Sequence, residues 1–199
     1  MPAMTAAILL AAGESTRMGQ PKALLPWGGV SLIEYQVRQL SEAGVDEIVV
    51  VLGHAADEIR ERVPDMARVI VNLLYQEGRA TSLRAGAGAL PDNAGPIIVL
   101  DVDQPRPAEL LRSLLAAHEA GVSPISRPAF EGQHGHPPVL DGLLLDELRA
   151  VEEASLGLRG VMTAHAIDIA DIDLGDERVL VSFNTPEEYA DALTRFGPP

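Results

Sequence analysis

The sequence contains no cysteine. That absence removes disulfides, thiolate metal sites and cysteine nucleophiles together. Aromatic residues make up only 4%, while hydrophobic residues reach 47%, so a sizeable core is assembled from Leu, Val, Ile and Ala rather than from rings. Cations are scarce as well: 15 Lys and Arg stand against 29 Asp and Glu, a formal net charge of -14. That balance excludes a nucleic-acid backbone as the main partner, since such binders cluster Lys and Arg. It leaves a nucleotide open, because a few local cations hold a phosphate inside an acidic protein. Long apolar runs are missing too, and the stretch from Met1 to Ala7 lacks the basic start and apolar core of a signal peptide. A soluble cytoplasmic protein without membrane contact is expected.

What is present is an alternation of apolar runs with helix-period stretches. Ala6 to Ala11, Glu47 to Leu52, Arg68 to Asn72 and Pro96 to Asp101 read as strands. Val122 to Arg127, Pro138 to Leu140, Ala166 to Ala170 and Val179 to Phe183 are weaker strand candidates. Ser31 opens a helix, with Ser31 and Glu34 as a capping-box pair and Leu32, Ile33, Val37 and Leu40 on its core face. Further helices are expected over Asp57 to Val63, Ser82 to Leu90 and Pro107 to Glu119, and after Thr185 and Pro186, where Glu188 completes a second capping box. His118 and His165 are expected on helix surfaces, and the tail Gly197 to Pro199 reads as dispensable. Strands alternating with helices indicate an α/β fold with a mostly parallel sheet, in one domain over residues 1–199.

The first strand runs into "ILLAAGESTRMGQPKALLPW", Ile8 to Trp27. In an open parallel sheet, ligands sit beyond the carboxyl ends of strands. The Walker pattern does not fit: five residues separate Gly13 from Gly19, and Gln20, Pro21 and Lys22 follow. The dinucleotide pattern GxGxxG is absent. Even so, Gly13 and Gly19 let backbone N–H groups approach anionic oxygens, while Arg17 offers a planar fork and Lys22 a point charge. Taken singly, each of these residues reads equally well as a turn or a solvated surface position.

A second candidate group is "VLDVDQP", which puts Asp101 and Asp103 at the carboxyl end of the strongest strand, on one face if strand geometry persists. Such a pair serves either as a structural cap or as ligands for a Mg²⁺ that bridges phosphate oxygens. His134 and His136 flank Gly135 in a loop, but no third ligand accompanies them, which argues against zinc.

Taken whole, the string L-A-A-G-x-S-x-R-M-G-x-P-K-x-L-L-P-W resembles the signature of the molybdenum cofactor nucleotidyltransferase family, and within it the molybdopterin cytidylyltransferase-like branch. The resemblance runs along nearly the whole chain. It implies a three-layer α/β/α sandwich, the Rossmann-like nucleotidyltransferase fold, and transfer of CMP from CTP to the phosphate of molybdopterin with release of pyrophosphate. Leu10, Ala11, Ala12 and Gly13 would then approach base and ribose, and Arg17 and Lys22 would hold the phosphates that leave. Asp103 matches the family's Mg²⁺-binding Asp, with Asp101 beside the nucleotide. The stretch "EGRATSLRAG" resembles a nucleotide-contacting segment and supplies Arg79 and Ser82. Gly135, His136 and Pro137 match a Gly-His-Pro on the acceptor side.

Two departures bear on substrate choice. The second metal ligand falls on Asn184 in "SFNTPEEY", where the cytidylyl branch often has Asp and the guanylyl branch resembles this chain. The family's Gly-Asp-x-Gly-x-Arg element is altered to Ala154 through Arg159, leaving Arg159 as the pterin anchor without the Asp. Ala12, where the guanylyl branch typically has Gly, favours CTP. Alternatives are a GTP-dependent transferase, another phosphorylated acceptor, or a non-catalytic nucleotide- or cofactor-binding module. Transient contact with a molybdenum apoenzyme is implied. The chemistry requires Lys22 and Arg17 to face Asp103 across a gap of triphosphate size.

Overall fold

A computed structural model describes residues 4–198. Met1 to Ala3 and Pro199, which belong to the leader and tail readings, lie outside the described residues. The chain runs β1 (Met4–Ala11), β2 (Pro26–Trp27), β3 (Val30–Ser31), α1 (Leu32–Glu42), β4 (Glu47–Leu52), α2 (Ala56–Arg60), β5 (Arg68–Val71), α3 (Arg79–Ala89) and β6 (Ala94–Asp101). It continues through α4 (Ala108–Ala120), β7 (Ile125–Phe130), β8 (Gln133–His134), β9 (Val139–Leu140), α5 (Leu145–Arg149), α6 (Leu158–Ala164), β10 (Ile169–Asp173) and α7 (Pro186–Phe196).

The main sheet has the order β10-β7-β9-β6-β1-β4-β5, with β8 paired to β7. β1 pairs in parallel with both β4 and β6, β4 with β5, and β7 with β10. The short β9 runs antiparallel to β6 and β7. The chain therefore winds outward from β1 through β4 and β5, then crosses to the other side of β1 for β6. That reversal is the place where open α/β sheets bind ligands.

Alternation along β1 divides the core in two. Ala7, Leu9 and Ala11 pack with α1, α4 and α7, whereas Ala6, Ile8 and Leu10 pack with α3, α5 and α6. This is the three-layer α/β/α sandwich expected from the sequence. Each fully buried Leu or Val contributes roughly 1.5–3 kcal/mol of transfer free energy, so the two apolar faces outweigh any single helix cap, which is worth about 1 kcal/mol. Helix α3 lies close against the sheet: a Cβ on Gly86 would stand 2.5 Å from Ile8 Cγ2 and 3.0 Å from Val51 Cγ2.

Several local expectations are corrected. Ser31 and Glu34 form no capping box; the Ser31 hydroxyl is buried without a partner, and Glu34 pairs with Arg38. The cause is the β2–β3 hairpin, which feeds straight into the helix, so that Leu32 N donates to Leu25 O at 2.8 Å. Helix α3 begins at Arg79, not Ser82. His118 is not on a surface: it is 6% exposed on the inner side of α4, with Nδ1 2.9 Å from Ser126 Oγ. The segment Val179 to Phe183 is no strand, because Glu177–Leu180 forms a 3-10 turn. The carbonyls of Val179 and Val181 are taken instead by the Arg106 guanidinium at 2.8 and 2.9 Å. The tail also packs, since a Cβ on Gly28 would meet Pro198 Cγ at 2.8 Å.

Candidate active site

The β1–β6 register sets Leu10 opposite Asp101, so the loop after β1 and the turn after β6 leave the sheet side by side. The first loop is held by its own chain. Ser15 and Gly19 adopt left-handed backbone, with φ of 54° and 70°, and Met18 is buried beneath them. Lys22 N donates to Ser15 Oγ at 3.2 Å. These contacts fold Arg17 and Lys22 back over the carboxyl end of the sheet.

Lys22 then meets the acidic turn directly. Its Nζ lies 2.5 Å from Asp103 Oδ2 and 2.9 Å from Asn184 Oδ1. Arg17 Nη2 donates to the same Asn184 oxygen at 3.0 Å. The expected triphosphate-sized gap between Lys22 and Asp103 is therefore corrected: the two side chains are in contact, because a partly buried carboxylate recruits the adjacent ammonium. Burial pushes the Asp103 carboxyl above its ordinary range, while the Lys22 bond and charge act in the opposite direction.

Asn184 is fixed from the other side. Its N–H donates to Glu188 at 2.6 Å, and Glu188 N donates to Thr185 Oγ1 at 3.3 Å; the second capping box is therefore formed only in its Thr185 half, since the Glu188 carboxylate accepts from Asn184, one residue before the cap. Phe183 N donates to Asp103 O at 3.3 Å, and the Phe183 ring stacks on buried Trp27 with centroids 6.0 Å apart. The segment before α7 is thus bonded to the acidic turn.

On the opposite wall, the Arg79 fork holds both oxygens of Asp101 at 2.9 Å. Asn72 Nδ2 donates to Ser82 Oγ at 2.9 Å and to Thr81 Oγ1 at 2.8 Å, which fixes the start of α3. Glu153, from the segment before α6, accepts from Ala80 N at 2.9 Å in the first turn of the same helix.

Leu10, Ala11, Ala12, Gly13, Arg17, Lys22, Arg79, Ser82, Asp101, Asp103 and Asn184 all line one open cleft of about 380 Å³. Asp101 and Asp103 share it even though the strand ends at Asp101 and a turn follows, with Gln104 N donating to Asp101 O at 3.1 Å. A Cβ on Gly13 would meet nothing within 4 Å, so the backbone there is free to be approached.

Gly135, His136 and Pro137 are outside the cleft lining but next to it. Gly135 is required by packing, since a Cβ would come within 2.7 Å of Val179. His136 is exposed as a residue, yet partial burial of its imidazole and the Arg106 cation hold its pKa below the ordinary 6.5. Arg159 is exposed at the start of α6 and is not among the residues that line the cleft.

The cleft also includes Ser15, the serine of the opening string, and Thr16 and Tyr75, which no sequence motif marks. Arg106 was missed as well. It is fully buried, and its guanidinium donates to the carbonyls of Pro105, His136, Val179 and Val181 at 2.8–2.9 Å. Gln36 bonds Gln104 O at 2.7 Å and Arg106 N at 3.2 Å. Together they lock the acidic turn, the His136 loop and the segment leading to Asn184. The only signal was an Arg directly after the Asp-Gln-Pro string.

The description "MobA-like NTP transferase domain" matches residues 7–169. The chain belongs to the MobA-like NTP transferase family. Relatives of this MobA-like domain include the bifunctional protein GlmU of Geobacter sulfurreducens, 32% identical over 74% of the chain and 32% of that protein. The chain thus spans about a third of the GlmU length. Nicotine blue oxidoreductase of Paenarthrobacter nicotinovorans is 31% identical over 94% of the chain and 95% of its own length. Among solved structures, a nucleotidyl transferase from Methanothermobacter thermautotroptrophicus matches with a TM-score of 0.78 at 26% identity, covering 97% of both chains. Rv0371c of Mycobacterium tuberculosis has the same fold, with a TM-score of 0.83 over 98% of this chain and 100% of its own, at 24% identity. For this MobA-like domain, the family match covers the strand-loop-strand framework that holds Lys22 and Asp103. Among the described residues, no helix is long and apolar enough to cross a membrane.

Proposed function

We propose that the chain, acting as one domain over residues 1–199 in the cytoplasm, transfers CMP from CTP to the phosphate of molybdopterin. The observation that carries this reading is the meeting of Arg17, Lys22, Asp103 and Asn184 at one end of the cleft. A phosphate oxygen of the acceptor attacks the α-phosphorus in line. The new oxygen–phosphorus bond forms as the bond to the bridging oxygen breaks, and pyrophosphate leaves with the electron pair. An anionic phosphate oxygen needs no general base, so the protein's task is positioning and charge neutralisation.

Lys22 and Arg17 hold the departing phosphates and gain strength as charge shifts onto them. The backbone from Leu10 to Gly13 receives base and ribose, aided by Arg79, Asp101 and Ser82. Gly135, His136 and Pro137 border the acceptor, with Arg159 as an outer anchor.

The donor set suits a Mg²⁺. Asp103 offers a carboxylate oxygen and Asn184 a carbonyl oxygen, and both converge on one point, now taken by Lys22 Nζ. Mg²⁺ takes few protein ligands and keeps waters or phosphate oxygens for the rest. When bound, it would neutralise phosphate charge and orient the α-phosphorus. A structure of the same fold from Mycobacterium tuberculosis is described as a complex with manganese, which favours a divalent ion in this fold.

The test is a product assay: CTP or GTP is incubated with molybdopterin and Mg²⁺, and the acceptor is weighed by mass spectrometry. A cytidylyl adduct supports the proposal. A guanylyl adduct, or one only on a different phosphorylated acceptor, shifts the substrate and keeps the reaction. A second reading is favoured by one relative: the protein matched over 95% of its length bears the name of an oxidoreductase. Electron transfer between a reduced donor and an added acceptor, without pyrophosphate release, would select it.

A further inference from the structure

Asp103 and Asn184 present the oxygens that a divalent ion would use, and the Lys22 ammonium is bound to both of them. The Lys22 and Asp103 side chains are only 12% and 17% exposed, so their attraction is weakly screened. A carbonyl oxygen has two acceptor positions. Both positions on Asn184 Oδ1 are filled, one by Lys22 and one by Arg17. A Mg²⁺ bonded at about 2.1 Å to these oxygens would occupy the space that the ammonium fills, against like charge.

From this arrangement we propose that Lys22 is a cation gate: it holds the metal ligands until a nucleotide draws it away, so that metal and nucleotide bind with positive coupling. The inference rests on the transferase reading of the cleft. The four-carbon stem of Lys22 gives its ammonium reach, and the folded loop keeps it beside Gly13, Ser15 and Thr16, which line the same cleft. A triphosphate brings anionic oxygens that replace Asp103 as its partner. The exchange leaves no charge alone. Without nucleotide, Lys22 compensates a largely buried carboxylate, whose isolation would be costly. With nucleotide, Lys22 holds phosphate, and Asp103 and Asn184 regain free lone pairs. The site thereby avoids taking up a metal ion before there is a substrate to activate.

The test is Mn²⁺ binding, followed by the electron paramagnetic resonance signal of free Mn²⁺, on the full chain at pH 8. Wild type, Lys22→Met, Lys22→Gln and Asp103→Asn are titrated with and without CTP, with the Mn²⁺–CTP equilibrium fitted jointly. GTP serves as a parallel arm. In wild type, nucleotide is expected to tighten Mn²⁺ binding about tenfold or more, the usual range of coupling between sites. Lys22→Met is expected to bind Mn²⁺ about tenfold more tightly than wild type without nucleotide, with the nucleotide effect largely gone. Lys22→Gln, which also lacks the ammonium, repeats the test should the Met variant fold poorly. If Asp103→Asn loses Mn²⁺ while both Lys22 variants bind it no better than wild type, the gate is wrong and the metal site stands. If Asp103→Asn binds Mn²⁺ like wild type, the metal site itself is wrong and the gate falls with it.

Discussion

Leu10 on β1 and Asp101 on β6 are partners across the parallel ladder. This pairing joins segments far apart in the chain: the loop that leaves Leu10 carries Lys22, the turn that leaves Asp101 carries Asp103, and the two ends meet at 2.5 Å. The position follows from winding rather than from local propensity. A chain that builds β4 and β5 on one side of β1 and β6 on the other must open a crevice between the loops that follow β1 and β6.

Two glycines in α3 should respond in opposite ways to Ala. Gly86 faces Ile8 at a distance a Cβ cannot occupy, and Ile8 is fully buried. Gly86→Ala should lower stability by about 1–3 kcal/mol through overpacking, more than the roughly 1 kcal/mol that Ala gains in a helix. Gly88 is exposed and has nothing within 4 Å of a Cβ, so Gly88→Ala should raise stability by about 0.5–1 kcal/mol. Urea unfolding of both variants checks the pair; equal shifts would contradict the close approach of α3 to β1.

Arg106 should behave as a structural centre that reaches the site through backbone. Burial brings its pKa down to about 9, against the opposing pull of the Asp103 and Asp176 carboxylates, so it stays charged at neutral pH, and four carbonyls accept from it. In Arg106→Lys, three ammonium donors cannot serve four carbonyls in a fork arrangement. A loss of about 2–4 kcal/mol is expected, since each buried group left unpaired costs about 1–3 kcal/mol. Amide exchange should rise at Gly135 and His136. A variant within 0.5 kcal/mol of wild type, roughly the scale of neutral surface changes, would rule out this role.

His118 should make stability fall on mild acidification. Burial lowers its pKa below the ordinary 6.5, so the folded state resists a proton that the unfolded chain accepts. Its contribution is complete above pH 6.5 and declines as pH falls toward the lower folded value. The urea midpoint of wild type should drop between pH 7 and pH 5.5, and His118→Gln should reduce that slope. An unchanged slope would show that other groups carry the pH dependence.

The sequence revealed most where information is contiguous. The loop from Leu10 to Lys22 and the Asp101 to Pro105 stretch are unbroken strings, and Leu10 to Gly13, Arg17, Lys22, Asp101 and Asp103 from them share one cleft. Strand runs such as Glu47–Leu52 were legible because parallel strands buried on both faces read as continuous apolar segments. Arg106 was illegible because all its partners are backbone carbonyls, and backbone leaves no residue pattern to read. Val179 to Phe183 misled for the same reason, with an Arg side chain occupying carbonyls that a strand would have used. His118 was legible in principle. It lies one turn beyond Leu114 and Leu115, on the apolar stripe of α4, and helical spacing outweighs its polarity.

The decisive measurement is Mg²⁺-dependent pyrophosphate release from CTP in the presence of molybdopterin, in wild type and in Asp103→Asn. Wild type is expected to release pyrophosphate in step with acceptor consumed, and Asp103→Asn to do so about 10²-fold more slowly or worse, the scale for losing one preorganised charge contact. No release from CTP or GTP with a phosphorylated acceptor, or equal release by both proteins, would contradict nucleotidyl transfer at this cleft.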